Sequence, residues 1–393
     1  GIIYIDITMP TTFDLNKGVK YIKSAADKNY ISAITKLGII YTSDEYGIKD
    51  VNKGIQYLTT AANKNDGEAS MILGQIYFDG QIINFDFNKA VHYLSIAAEF
   101  NYLNAYLKLG LIYLKNKNID KAIKYFKTAA DKGDALSQNN LGNIYHDENN
   151  KSIYDINKSI YYYTQAANQG FVISQYNLGV IYMEESTFNI NKSLHFFKMA
   201  AEQNHIDSIL NLATIFIEGE LVDRDINKAI YYFNKASYLQ NHKQSQFNLG
   251  KIYYEGKLVT RDMNKAILYL TKAADQKLPE AQYLLGIIYY NVEFGKQDIY
   301  KSIEYLELAS NQNFGEASFA LGQIYYESKY VDFNINKSIH YFQIAIKQNI
   351  NKAYFYLGLL HLGGKLFQQD FRKAFDCFLI AAKDNFSIQF QHL

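Results

Sequence analysis

Two helical patterns of hydrophobic and polar positions follow each other along the whole chain. In the first pattern, Ala69, Leu73 and Tyr77 stand four residues apart and therefore share one face of a helix. In the second pattern, the small residue Ala90 stands seven residues before Ala97, which also fits a single helix face. The alternation predicts a succession of paired amphipathic helices.

The first pattern contains the phrase Leu-Gly-x-Ile-Tyr, which returns at steps of 36 or 37 residues over most of the chain. Complete copies lie at 37–41, 73–77, 109–113, 141–145, 178–182, 249–253, 285–289 and 321–325, and looser copies lie at 212–216 and 357–361. A second phrase follows each copy and reads Asn-Lys-small, then aromatic residues, then Ala-Ala. Paired helices that repeat at this period predict an all-α fold, an α/α solenoid of stacked antiparallel helix pairs.

The glycine of the first phrase stands inside a predicted helix, where it costs about 1 kcal/mol relative to alanine. Its regular return indicates close approach by the partner helix. The aromatic runs 161–163 and 231–233 are expected to fill the space between repeats. The predicted N-caps of second helices are Asp14, Asp50, Asp86, Asp155, Asp225 and Asp262, and the predicted left-handed ends of first helices are Gly80, Gly219, Gly256 and Gly364.

Both ends of the chain fall inside the repeated pattern. Gly1, Ile2, Ile3 and Tyr4 match the tail of a first-pattern helix, and Leu393 stands where the next repeat leucine is expected. We therefore expect residues 1–393 to form a single array of about eleven repeats, truncated in mid-helix at both ends.

Composition narrows the class of protein. The 393 residues are 48% hydrophobic and 20% charged, which is ordinary for a folded soluble chain. The 40 basic and 39 acidic residues leave a net charge of +1, so the balance provides no electrostatic footprint for nucleic acid or for an anionic membrane. No apolar run approaches the ~20 residues that span a bilayer. The single cysteine, Cys377, rules out a disulfide scaffold.

The segments AQYLLGIIYY (281–290) and DMNKA (262–266) resemble the Sel1-like repeat, a longer relative of the tetratricopeptide repeat. The resemblance covers essentially the whole chain, although the short loop of the repeat at 109–130 is more similar to a plain tetratricopeptide unit. It implies a right-handed superhelix that acts as an adaptor and holds partner proteins in a concave groove. The chain departs from the family pattern in lacking the tryptophan of the second helix. It also lacks the paired cysteines of secreted members, and we expect a cytoplasmic protein.

Candidate chemical sites are explained better by the repeat than by catalysis. The segment 250–258 resembles a phosphate-binding loop, but it has one residue too many between its glycines and Leu258 in place of Ser or Thr. The eight histidines form no pair spaced four residues apart, and Cys377 has no identifiable partner base. We therefore expect no catalytic residues, no cofactor and no metal site.

The groove is the remaining candidate surface. In tetratricopeptide-like stacks it is lined by first-helix residues two before and five after the repeat leucine, and these are largely aromatic here. Polar residues beside them would confer specificity, among them Glu280, Glu316 and Lys352. An alternative is that the aromatic residues only pack between neighbouring first helices. The predicted protein-binding residues are Tyr176, Met183, Phe247, Lys251, Tyr254, Tyr283, Tyr290, Phe319, Gln323, Tyr326 and Phe355.

The sequence thus favours a non-catalytic scaffold that binds other proteins or peptides, whose identity it leaves open. An alternative is that the array targets a larger enzyme, such as a protein kinase, whose catalytic domain lies outside this chain. A third class, a secreted effector, would carry a signal peptide upstream.

Overall fold

The computed structural model describes residues 15–292, 297–327, 334–363 and 370–383. Within these ranges the chain forms twenty-one α-helices and no strand. The predicted helix tail at 1–4, the cap Asp14, the helix end Gly364 and the terminal Leu393 lie outside the described residues.

The contacts divide the chain into two compact units, Gly1–Gln203 and Asn204–Leu393. The first contains α1 (Leu15–Asp27), α2 (Ile31–Thr42), α3 (Val51–Ala62), α4 (Gly67–Asp79), α5 (Phe87–Glu99), α6 (Leu103–Lys115), α7 (Ile119–Asp131), α8 (Ala135–His146), α9 (Ile156–Asn168), α10 (Val172–Ile181) and α11 (Ile190–Glu202). The second contains α12 (Ile206–Glu218), α13 (Ile226–Gln240), α14 (Lys243–Glu255), α15 (Met263–Asp275), α16 (Pro279–Tyr290), α17 (Ile299–Ser310), α18 (Gly315–Glu327), α19 (Ile335–Lys347), α20 (Lys352–Gly363) and α21 (Phe371–Lys383).

Within each unit the even-numbered helices carry the first phrase and are called first helices; the odd-numbered ones carry the second phrase and are called second helices. Within its own unit, each first helix packs against the second helix that follows it and, where the unit contains one, against the second helix that precedes it. This arrangement confirms the predicted all-α solenoid of paired helices.

The two helices of a repeat approach each other closely at the repeat glycine. A Cβ added to Gly286 would lie 2.6 Å from Cγ of Leu306, and one added to Gly322 would lie 2.5 Å from the ring of Phe342. The same contact pairs Gly38 with Leu58, Gly74 with Leu94, Gly110 with Phe126, Gly142 with Tyr163, Gly179 with Phe197, Gly250 with Leu270 and Gly358 with Phe378. Helix α12 carries the fully buried Ala213 at this position, so one helix pair accommodates the extra methyl group.

Where the small residue of the second helix is serine, its hydroxyl closes the same contact with a hydrogen bond. Ser302 donates to the carbonyl oxygen of Gly286 at 2.8 Å, and Ser338 donates to that of Gly322 at 2.9 Å. These serines are fully buried, and a buried hydroxyl without a partner would cost about 1–3 kcal/mol. The hydrogen bonds therefore let a polar residue stand at the narrowest part of the core.

The repeat tyrosine stacks on an aromatic ring of the second helix. The rings of Tyr289 and Tyr305 lie 5.9 Å apart and nearly parallel, and Nζ of Lys301 lies 5.5 Å from the Tyr289 ring centre. The prediction that the whole aromatic runs fill the core is wrong for their first residues: Tyr161 is 57% exposed and Tyr231 is 61% exposed. These two rings lie on the outer face of the second helix, because successive helical residues point about 100° apart.

The predicted helix ends are confirmed where they are described. Asp50, Asp86, Asp155, Asp225 and Asp262 each accept a hydrogen bond from the backbone N–H three residues on. Gly80, Gly219 and Gly256 adopt left-handed conformations, with φ of 66°, 69° and 63°. Left-handed residues such as Asn101 and Lys277 also occur at the turns between repeats and were not predicted.

Buried glutamines connect successive repeats. Nε2 of Gln138 in α8 donates to the carbonyl oxygen of Ala130 at the end of α7, and Oε1 of Gln138 accepts from Nε2 of Gln169 just after α9, at 2.7 Å. Gln282 makes the equivalent pair of contacts, to Ala274 and from Gln312. One amide therefore joins the second helices of two neighbouring repeats.

Two first helices of the second unit are capped by histidine. Nδ1 of His205 accepts from the backbone N–H of Ser208 at 3.3 Å, and Nδ1 of His242 accepts from that of Ser245 at 3.2 Å. Each Nδ1 also lies 3.0 Å from the hydroxyl of the same serine. An acceptor Nδ1 requires a neutral imidazole, and a proton there would also place positive charge at the positive end of the helix dipole.

We expect Gly286→Ala to lower the thermal midpoint of unfolding. The added methyl group would overlap Leu306 at a cost of about 1–3 kcal/mol, more than the gain of about 1 kcal/mol in helix propensity. Gly363→Ala is the matched control, because nothing lies within 4 Å of a Cβ added there. In thermal melts followed by circular dichroism, the midpoint of Gly363→Ala should be equal to or higher than that of wild type, and the midpoint of Gly286→Ala should be lower. Equal midpoints for the two variants would contradict close packing at Gly286.

We expect the second unit to lose stability in acid through the histidine cap at His242. Burial lowers the pKa of His242 below its ordinary value of 6.5, although the charge of Asp207 opposes the shift. The cap therefore contributes fully above about pH 6.5 and is lost as the pH falls further. His242→Asn keeps a capping oxygen that does not titrate. Thermal melts from pH 7.5 to 5 should show that the variant becomes more stable relative to wild type as the pH falls, by up to about 1 kcal/mol in the free energy of unfolding. Parallel pH profiles would rule out this role.

Candidate protein-binding face

The predicted binding residues lie in both units and are described separately. In the first unit, Tyr176 lies in α10 and Met183 follows the end of that helix. The half-buried ring of Tyr176 lies 6.0 Å from the ring of Phe197, and the backbone N–H of Met183 donates to the carbonyl oxygen of Val180. The other first helices of this unit carry non-aromatic residues at the Tyr176 position, namely Thr35, Met71, Leu107 and Asn139.

The second unit holds the other nine predicted residues on four successive first helices, α14, α16, α18 and α20. In α14, Phe247 and Tyr254 are half-buried and pack against the core cluster around Leu270 and Leu285. Lys251 stands between them on the same face, and its side chain is 55% exposed with Nζ 3.8 Å from Oε1 of Glu255. Helix α14 thus presents a charged, accessible side chain between two partly buried aromatic rings.

Tyr283 and Tyr290 connect α16 to the next first helix. The Tyr283 ring lies 5.3 Å from the ring of Phe314, which immediately precedes α18. The Tyr290 hydroxyl donates to Oε2 of Glu327 at 3.0 Å. Both tyrosines are half-buried, so each packs between repeats and still presents part of its surface.

Phe319 differs from the other predicted aromatic residues because it is a core residue. It is 8% exposed, and its ring lies 5.8 Å from Phe342 and 5.5 Å from Tyr356. Nζ of Lys352 lies 4.3 Å from its ring centre and covers it further. At this position the structure favours the alternative interpretation of the aromatic row as packing between repeats.

The remaining predicted residues, Gln323, Tyr326 and Phe355, all contact Tyr356. Nε2 of Gln323 donates to its hydroxyl at 2.7 Å, and the ring of Tyr326 meets it edge to face at 5.6 Å. The half-buried Phe355 contacts both Tyr356 and Phe378. Sequence reasoning missed Tyr356, because it lies one position before the repeat leucine, outside the two rows used to define the groove.

Tyr283 and Tyr326 remain protonated hydrogen-bond donors. Burial raises the pKa of Tyr283, and the charge of Glu316 raises it further. Burial likewise raises the pKa of Tyr326, with smaller contributions from Tyr356 and Glu327. The face therefore combines neutral phenols with nearby carboxylates.

The residues that resemble chemical sites have structural roles. Gly250 packs against Leu270 and Gly256 ends α14 in the left-handed conformation, so this segment follows the repeat pattern. Cys377 is half-buried, and burial raises the pKa of its thiol, which disfavours the nucleophilic thiolate. His92, His195 and His340 each contact the edge of the next aromatic residue.

Two searches of the described ranges give negative results. No group of three or more His, Cys, Asp or Glu side chains there is arranged to hold a metal ion. None of the helices in those ranges combines the length and the apolar character needed to cross a bilayer.

Family models match almost the entire chain. The Sel1 repeat model matches at 9–30, 31–66, 67–99, 135–171, 172–205, 206–241, 243–278, 279–314, 315–350 and 351–386. The chain belongs to the Sel1 repeat family. A tetratricopeptide repeat model matches 86–147, and this range includes the segment that the Sel1 matches skip. The second match confirms that the short-loop repeat at 109–130 resembles a tetratricopeptide unit.

Two solved structures of Sel1-like repeat proteins have a similar fold. A protective antigen present in uropathogenic Escherichia coli strains, which displays an SLR fold, is 24% identical over 96% of this chain and 82% of its own, with a TM-score of 0.62. A Sel1 repeat protein from Oxalobacter formigenes is 24% identical over 82% of this chain and 97% of its own, with a TM-score of 0.58. No curated protein matches the chain. At this identity the neighbours establish the fold, which is a general scaffold for protein interactions.

We expect Phe319→Ala to destabilise the protein strongly and Lys251→Ala to leave its stability nearly unchanged. Removing the buried Phe319 ring should cost about 3–5 kcal/mol, whereas removing the exposed Lys251 side chain should change stability by about 0.5 kcal/mol or less. Thermal melts of both variants test the assignment of Phe319 to the core. A Phe319→Ala melt that superimposes on the Lys251→Ala melt would contradict it.

Proposed function

We propose that this Sel1 repeat protein is a non-catalytic scaffold that binds partner proteins or peptides through its first helices. The observation that carries the proposal is the face of α14 and α16, where Tyr254, Tyr283 and Tyr290 are held half-buried beside polar side chains. Aromatic rings that are already positioned lose little conformational entropy when a partner covers them, which makes them good anchors.

The outer face of the second helices is a weaker candidate. Tyr161 and Tyr231 are more exposed there, and each ring meets the ring of the next tyrosine edge to face. Single exposed apolar residues are ordinary on protein surfaces. The first helices instead offer aromatic and polar residues together on successive repeats, which suits an extended segment of a partner protein.

The proposal has two further parts, the absence of catalysis and a cytoplasmic location. The packing roles of Gly250, Gly256 and Cys377 support a function without catalysis. We also propose a cytoplasmic location, which agrees with a sequence whose only thiol is Cys377.

Site-specific photocrosslinking tests the binding face. A benzophenone amino acid replaces Tyr254 on the first helix α14 in one variant of the chain. In the matched control it replaces Tyr231 on the second helix α13 of the same unit. Both proteins are irradiated in lysate of the source organism, and the crosslinked products are identified by mass spectrometry.

We expect Tyr254 to yield defined crosslinked proteins that an excess of unlabelled chain competes away, and Tyr231 to yield none of them. Crosslinks to the same proteins from Tyr231 alone would move the site to the second helices. Absence of specific crosslinks from Tyr254 would count against the proposed scaffold function.

A further inference from the structure

The aromatic face of the second unit is bordered by carboxylates. We call this surface the tyrosine–glutamate face, and it consists of Tyr254, Tyr283, Tyr290, Tyr326, Glu255, Glu280, Glu316 and Glu327. In α16, Glu280, Tyr283 and Tyr290 are three and seven residues apart, so they share one side of the helix. The same spacing places Glu316 and Tyr326 on the equivalent side of α18.

Contacts between helices show that the two kinds of residue are close in space. The hydroxyl of Tyr290 donates to the carboxylate of Glu327 across from α16 to α18. The ring of Tyr283 in α16 lies 5.3 Å from the ring of Phe314, which stands two residues before Glu316, and the charge of Glu316 raises the pKa of Tyr283. The carboxylates and the rings therefore form one surface that runs over successive repeats.

This surface carries a local excess of negative charge. In the five first helices of the second unit, the groove positions considered are those two and five residues before the repeat leucine and two, five and six residues after it. These positions hold six carboxylates and two lysines, although acidic and basic residues balance over the whole chain. Of the two lysines, Lys251 lies near Glu255 and Lys352 lies over the ring of Phe319.

Several of these carboxylates lack a cationic partner. Among the residues that the structure describes, Oε2 of Glu280 is buried without a hydrogen-bond partner, and Glu316 forms no ion pair. Other acids near the ends of first helices do have such a neighbour: Asp79 lies 3.5 Å from Nζ of Lys108, and Glu255 lies 3.5 Å from Nζ of Lys257. A carboxylate that is desolvated and unpaired is stabilised most strongly when a ligand supplies a cation.

We infer that the tyrosine–glutamate face binds an arginine-bearing segment of a partner protein, an inference that rests on the proposed scaffold function. Arginine fits better than lysine because its planar guanidinium can pair with a carboxylate through two parallel hydrogen bonds and stack on a tyrosine ring at the same time. The neutral tyrosine hydroxyls supply further hydrogen-bond donors for the backbone carbonyls of the bound segment.

The test uses a random peptide library selected on the immobilised full chain. Enriched peptides are synthesised with a fluorescent label, and their affinities are measured by anisotropy at low and at physiological salt. Each arginine is then replaced by citrulline, which keeps the shape and removes the charge. A double variant of the protein, Glu280→Gln with Glu316→Gln, is compared with Glu304→Gln, which removes an exposed charge from the second helix α17.

We expect arginine to be enriched and affinity to fall with salt. Citrulline peptides and the double variant should each lose about tenfold or more in affinity, since a hydrogen bond to a charged group is worth about 1.5–3 kcal/mol. Glu304→Gln should bind as wild type does. Circular dichroism melts of both protein variants verify that the comparison is between folded chains.

Failure of this inference can be told apart from failure of the scaffold function. Enriched peptides without arginine, or unchanged affinity in the double variant, would overturn the choice of ligand. If such peptides still crosslink to benzophenone at Tyr254, the first-helix face remains the binding surface. If no peptide is enriched, or none crosslinks there, both the ligand and the face are wrong.

Discussion

The contact between the repeat glycine and the second helix is the constraint on which the rest of the structure depends. Because Gly286 presents no side chain, Leu306 can lie directly against the backbone of α16, and Ser302 comes close enough to donate to the glycine carbonyl. That spacing lets Tyr289 stack on Tyr305. In the repeats that carry it, the glycine thus allows the short distance at which the other contacts of the helix pair are made.

Local features of the fold could be predicted because each depends on a few residues close together in the sequence. The cap at Asp262 and the left-handed end at Gly256 are examples, since each is decided by neighbouring residues. The histidine cap at His242 and the role of Gln282 were missed. Histidine is not a typical cap, and Gln282 reveals its function only when the carbonyl oxygen of Ala274 is brought next to it.

The candidate face could be located from the sequence, but its members could not be ranked. Phe247, Phe319 and Phe355 occupy the same repeat position, yet Phe319 is enclosed by Phe342, Tyr356 and the ammonium group of Lys352, while the other two are half-buried. Burial at this position depends on the residues that the next repeat contributes. The same is true of charge, because whether a carboxylate is neutralised depends on its neighbour in space.

The glutamine contacts have a consequence for how such a chain changes length in evolution. Gln138 and Gln282 make the same pair of hydrogen bonds at two junctions that lie far apart in the sequence. A junction built in this way accepts any neighbouring copy that offers the same carbonyl and amide. Duplication or loss of a whole repeat by recombination therefore leaves a complete junction behind, and the array can lengthen or shorten without a new interface having to arise.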